Sequence, residues 1–89
     1  MSKVITQIVN PLGLHARPAA KLVDCASHYA SNIRLEYNNK NIDAKSIMSV
    51  MMLAAPFGAQ ITLHIEGKDE KQAQEAILKM FASGFGELE

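Results

Sequence analysis

Between Val9 and Ala19 the chain changes its apolar spacing, and two residues fix where the change falls. Val4 to Val9 is an extended run in which Val4, Thr6 and Ile8 alternate with Ile5, Gln7 and Val9. Both sets carry apolar residues, so the pattern alone leaves open which face is buried. Ala19, Leu22, Val23, Ala26 and Ala30 then follow the i, i+3, i+4, i+7 spacing of one helix face, which predicts a helix from about Ala16 to Tyr29. Gly13 lets the chain turn sharply without a Cβ clash. Pro18 has no N–H to donate and fits only the first turn of the helix. His15 and Arg17 therefore stand at a strand-to-helix junction, where unpaired backbone N–H groups and the positive end of the helix dipole favour anions, phosphate above all. An isolated loop histidine most often only packs or caps. Here an imidazole lone pair, an arginine fork and helix-end amides come together, and they suit a histidine that takes up a phosphoryl group. Residues 10 to 20 contain no Asp or Glu, so no carboxylate of this segment is placed to activate water. Lys21, one turn beyond Arg17, adds to the positive field.

Gly13-Leu14-His15-Ala16-Arg17-Pro18-Ala19 resembles the phosphohistidine motif of the HPr family, the phosphocarriers of the bacterial phosphoenolpyruvate-dependent phosphotransferase system. Lys45-Ser46-Ile47-Met48-Ser49-Val50-Met51-Met52-Leu53 is similar to that family's regulatory-serine segment, at the family's separation. The resemblance implies a carrier and not an enzyme, with no cofactor. His15 would accept phosphate through Nδ1 from enzyme I and pass it to an enzyme IIA-type protein, with Arg17 stabilising the group. Ser46 would be modified by an HPr kinase/phosphorylase. Leu12 stands where sugar-branch members commonly have Asn or Ser, Ser49 replaces a common Gly, and Pro56-Phe57 replaces a more usual Ala-Lys. With the ending Ser83-Gly84-Phe85-Gly86-Glu87, these departures look more like the nitrogen-related, regulatory branch, an alternative not coupled to sugar uptake.

The 89 residues suffice for one domain, residues 1–89, with a modest core. Nine basic and nine acidic residues cancel, which argues against a nucleic-acid binder. The five aromatic residues frame no base-stacking platform. Cys25 is the only cysteine, so there is no intrachain disulfide and no Cys-based metal cage; no metal site is expected. No apolar run is long enough to insert into a membrane and no signal-peptide pattern appears. A cytoplasmic monomer is the expectation. An acyl-phosphate hydrolase would need a residue that directs water, which the segment around Arg17 lacks.

Further along, Ile33 to Tyr37 alternates as a strand, Asn38-Asn39 is a turn pair and Lys40 to Asp43 a short return strand. Ser46 suits the N-cap of a short helix from Ile47 to about Ala54. That helix is apolar nearly all round, and a chain this small cannot bury every side of it. Val50 and Leu53 are expected in the core. Ile47, Met48 and Met51 are expected on the surface, where with Ala16 and Lys21 they would meet partner proteins. Gln60 to Glu66 reads as a strand with Ile61, Leu63 and Ile65 inward and His64 facing solvent. Asp69 starts the last helix with Gln72 completing a capping box, Ala73, Ala76, Ile77, Met80 and Phe81 face the core, and Gly84 and Gly86 end it. Asp24 and His28 are expected on a solvated stripe, and Cys25 half-buried. The order βαββαβα predicts an α+β, HPr-like open-faced β-sandwich, a four-stranded antiparallel sheet with three helices on one face.

Overall fold

A computed structural model describes residues 1–87. The elements are β1 (Ser2–Gln7), α1 (Ala16–Ser27), β2 (Asn32–Tyr37), β3 (Lys40–Asp43), α2 (Ile47–Leu53), β4 (Gln60–Glu66), α3 (Glu70–Ala82) and a short 3-10 turn (Gly84–Gly86). The strands form one antiparallel sheet in the order β1-β4-β2-β3. The last strand thus fills the slot left between β1 and β2, with Val4 opposite Leu63 and Leu35 opposite Leu63 on its other side.

Period-two alternation decides the layers. Ile33 and Leu35 of β2 and Ile61, Leu63 and Ile65 of β4 are buried beneath the helices. Val4 and Thr6 share that face and lead to the fully buried Ile8, whereas Ile5 is exposed. From the helix side come Ala19, Leu22 and Ala26 of α1, Val50 and Leu53 of α2, and Ala73, Ile77 and Phe81 of α3. Full burial of a leucine such as Leu22 is worth about 1.5–3 kcal/mol. The opposite face of the sheet is open.

Four expectations change. Helix α1 stops at Ser27, so Ala30 lies outside it and is exposed; the periodicity ran on because an alanine fits a turn as readily as a helix. Strand β1 starts at Ser2 and ends at Gln7, because Ile8 leaves the ladder to bond with Ala59. His64 does not simply face solvent: its Nε2 lies 2.7 Å from Glu36 across the open face. Asp69 is the N-cap residue of α3 but caps nothing in its own helix. Its carboxylate accepts instead from Ala30 N–H, Ser31 N–H and the Ser31 hydroxyl, tying the start of α3 to the end of the α1–β2 connection. These bonds, that from the Ser31 hydroxyl foremost, hold the Asp69 carboxyl below its ordinary value. Gly67 makes the junction possible: at φ +152° a Cβ there would fall 2.5–2.9 Å from the side chain and Cα of Ser31.

Candidate functional site

The loop before α1 is locked from within and from the side. Gly13 N–H donates to the Asn10 carbonyl (3.1 Å), and the Asn10 side-chain amide donates back to the Gly13 carbonyl (2.7 Å). Asn10 is completely buried. Its Oδ1 has no hydrogen-bond partner among the described residues. Leu14 is buried, and its N–H donates to the Ala55 carbonyl at 2.9 Å. Gly13 adopts φ +70°, and a Cβ there would come within 2.6 Å of the same carbonyl. Only glycine fits both the angle and the approach.

His15 follows directly, extended at φ −79° and ψ −170°, as the N-cap residue of α1. Its side chain makes no capping bond, while its carbonyl accepts from Ala19 N–H at 3.0 Å. The helix leaves the N–H groups of Ala16 and Arg17 without intrahelical partners, and Pro18 has none to satisfy. Ala16 and Arg17 are exposed beside the half-buried imidazole. Arg17 lines a cleft of about 390 Å³ with Pro11, Leu12, Gly86 and Glu87. No hydrogen bond or ion pair occupies its guanidinium among the described residues, so its fork is available to an anion.

A carboxylate does reach this site, from the other end of the chain. Glu87 Oε1 lies 3.0 Å from His15 Nε2. With the proton on Nε2, donated to Glu87, the Nδ1 lone pair is the free nucleophile of the ring. Lys21 keeps its charge near this site and is fixed in place by the last turn of the described chain. Its ammonium donates to the Phe85 carbonyl at 2.9 Å. Lys45 is likewise engaged, with the Tyr29 carbonyl at 2.6 Å.

Helix α2 presents the apolar surface. Ile47, Met48 and Met51 are 38%, 66% and 42% exposed, while Val50 and Leu53 are buried. Met52, Leu12 and Phe57 are exposed as well. The hydroxyl oxygen of Ser46 accepts from Ser49 N–H at 3.3 Å, the predicted N-cap. Ala54 closes the helix in the left-handed region, at φ +52°.

The remaining reactive side chains lie in ordinary settings. His28 Nδ1 meets the Asp24 carbonyl at 2.7 Å on the surface. Burial, with Asp24 alongside, pushes the Cys25 thiol up and away from the thiolate. Among the described residues no three His, Cys, Asp or Glu side chains could hold a metal together. No helix among them is long and apolar enough to cross a membrane.

The reading of the sequence missed Asn10 and Glu87. Asn10 had a signal, an Asx residue opening the Asn10-Pro11-Leu12-Gly13 turn. Glu87 carried none in its own spacing, because 72 residues separate it from His15.

Comparison with known proteins agrees with this geometry. Residues 3–83 match the family described as PTS HPr component phosphorylation site. The phosphocarrier protein HPr of Cupriavidus necator is 49% identical over 84 residues, 94% of each chain. A crystal structure of HPr from Thermoanaerobacter tengcongensis superposes with a TM-score of 0.94 at 45% identity, covering 98% of each chain. A second structure from that organism, of an HPr dimer, gives a TM-score of 0.78 at the same identity. The histidine at the helix start, the arginine beside it and the sheet order behind them thus place the chain in the HPr family, phosphocarrier proteins of the phosphotransferase system and not enzymes.

Proposed function

We propose that His15 accepts a phosphoryl group through Nδ1 from enzyme I and passes it to an enzyme IIA-type protein. The observation that carries this reading is the hydrogen bond at Nε2, which leaves Nδ1 as the free nitrogen beside the start of α1. In transfer, the Nδ1 lone pair attacks phosphorus as the bond to the donor breaks. The Arg17 guanidinium and the free amides of α1 then balance charge on the phosphoryl oxygens. A phosphoramidate formed this way is labile enough to move on in either direction.

Ile47, Met48 and Met51, with Ala16 and Lys21 at the rim, form the surface that docks donor and acceptor in turn. Their exposure supports this role: a short helix leaves four large apolar side chains outside the core, Met52 beside these three. Ser46 is the site for an HPr kinase/phosphorylase. Phosphate there would sit at the positive end of α2, leaving the fold intact, while placing about two negative charges beside the docking surface. The carrier works in the cytoplasm, as a monomer presenting one His15 to each partner.

Incubation with enzyme I and labelled phosphoenolpyruvate tests the reading. Acid-labile, base-stable label is expected in the unaltered protein and none in His15→Ala; persistent acid-labile label in that variant would refute it. A regulatory, nitrogen-related circuit is the second reading. The exposed, apolar Leu12 favours it, since no polar side chain at that position assists the phosphate. Transfer to a sugar-specific acceptor at the rate of a sugar-branch carrier would exclude it.

A further inference from the structure

Beyond α3 the chain does something unusual for its composition. Gly84, Phe85 and Gly86 occupy the left-handed region in succession, at φ +60°, +56° and +78°. Glycine enters that region freely, but phenylalanine does so only when its surroundings compensate. Here the compensation is burial. The Phe85 ring is 1% exposed and packs edge-on against Phe81, with ring centroids 5.0 Å apart at 62°. On the other side Lys21 holds the Phe85 carbonyl at 2.9 Å. The turn is therefore a plug, anchored in the core by an aromatic ring and to α1 by an ammonium. Two residues on, it delivers Glu87 to His15 Nε2 at 3.0 Å.

We propose that Glu87 is a positioning residue for His15, delivered by this plug, and that it keeps the Nε2 proton in place throughout phosphoryl transfer. The proposal rests on the reading of His15 as the phosphoryl acceptor. When the neutral imidazole attacks, a bond forms between Nδ1 and phosphorus and the phosphoryl–donor bond breaks, its electron pair leaving with the donor protein's group. The ring is then an imidazolium, phosphorylated on Nδ1 and still protonated on Nε2. A carboxylate at 3.0 Å favours that cation. When phosphate moves on, the Nδ1–phosphorus bond breaks and its electron pair returns to Nδ1. The neutral imidazole is restored with its Nε2 proton never having moved. Without a partner, Nε2 loses its proton more readily, and the ring would have to depart as an imidazolate, a far poorer leaving group.

The other charged groups around the ring are few. Arg17 at the start of α1 acts in the opposite sense. Lys21 is held by the Phe85 carbonyl, and the outward side chains of α2, Ile47, Met48, Met51 and Met52, carry no charge. An exposed ion pair that did nothing but decorate the surface would have little effect.

The full chain, with 15N-labelled histidine, can be phosphorylated chemically by phosphoramidate, which needs no enzyme I. The titration of His15 Nε2 in the phosphorylated protein is then followed by nitrogen NMR in the unaltered protein, Glu87→Gln and Lys21→Met. The midpoint in Glu87→Gln is expected about one pH unit lower, the scale of one nearby opposite charge. In Lys21→Met it should fall less, because the plug is loosened and Glu87 remains. Phosphate should also leave Glu87→Gln several-fold more slowly between the two midpoints. An unchanged midpoint in Glu87→Gln overturns the role of Glu87. An unchanged midpoint in Lys21→Met alone overturns the part assigned to the plug. If enzyme I fails to label the unaltered protein while these shifts appear, the phosphocarrier reading falls and the assignment of Glu87 to the His15 ring stands.

Discussion

The starts of α1 and α3 are built from similar parts and used in opposite ways. Each follows a turn with a positive-φ glycine, Gly13 before α1 and Gly67 before α3, and in neither does the N-cap side chain bond its own helix. At α3 the Asp69 carboxylate turns outward to grip Ala30 and Ser31, and the Glu70 side chain accepts from Gly67 N–H at 3.2 Å. That helix end is spent on holding the chain together. At α1 the N-cap is a histidine, and the amides behind it and the guanidinium beside it are left for a ligand. The structure around His15 is rigid in its backbone, through Asn10, Gly13 and Ala55, and open in its donors. A helix end can be spent on internal bonds or left open to an anion, and here α3 does the first while the donors at the start of α1 stay free.

The contrast can be broken most severely at α1. Arg17→Lys replaces a planar fork with a point charge and should slow phosphoryl transfer by about tenfold to a thousandfold, the scale for loss of one charge-stabilising donor. Single-turnover measurements check this, and the melting temperature should hold because Arg17 is exposed. At the opposite junction the effect should appear in stability instead. Gly67→Ala forces a Cβ into Ser31 and should cost on the order of 3 kcal/mol by chemical denaturation, with the transfer rate of the folded fraction unchanged.

Asp69→Asn sharpens the comparison through pH. Hydrogen bonds lower the folded-state value of Asp69, so its stabilisation is present above the ordinary aspartate range and is lost as pH falls through that range to the depressed folded value. The variant should be less stable than the unaltered protein at neutral pH, and the two unfolding curves should converge in acid. Thermal melts across that range would show it. Smallest of all, Ala54→Gly relieves a left-handed alanine at the end of α2, partly offset by a more flexible unfolded chain. A gain of about 0.5 kcal/mol is expected, with no effect on either helix start.

Much of this was readable from spacing. The limits of β4 follow from strict alternation between Gln60 and Glu66, and that α2 must leave apolar side chains exposed follows from the size of the chain, with Val50 and Leu53 buried and Ile47, Met48 and Met51 exposed as expected. The sheet order follows from the rule that a crossover leaves room for a later strand. The place of His15 and Arg17 at the start of α1 was legible because a glycine and a proline bracket them. What was not legible depends on contacts between distant segments. Asp69 resembles any capping aspartate until Ser31 is brought beside it, and Glu87 resembles any solvated tail residue until Phe85 is buried. A carboxylate has no periodicity of its own, so its partner cannot be inferred from local sequence.

The position of β4 at the centre of the sheet has a consequence for synthesis. Among the described residues strand β1 pairs with β4 alone, so Ser2 waits for Ile65 before its backbone has a strand partner. Until the ribosome has released roughly three-quarters of the chain, the nascent protein holds a lone strand, helices α1 and α2 and the β2–β3 hairpin, with the central hydrophobic strip missing. Closing so long a loop is entropically costly and comes late. A fragment ending before Gln60 can form neither half of the sheet's interior, so a prematurely terminated chain carries His15 on no scaffold able to hold it.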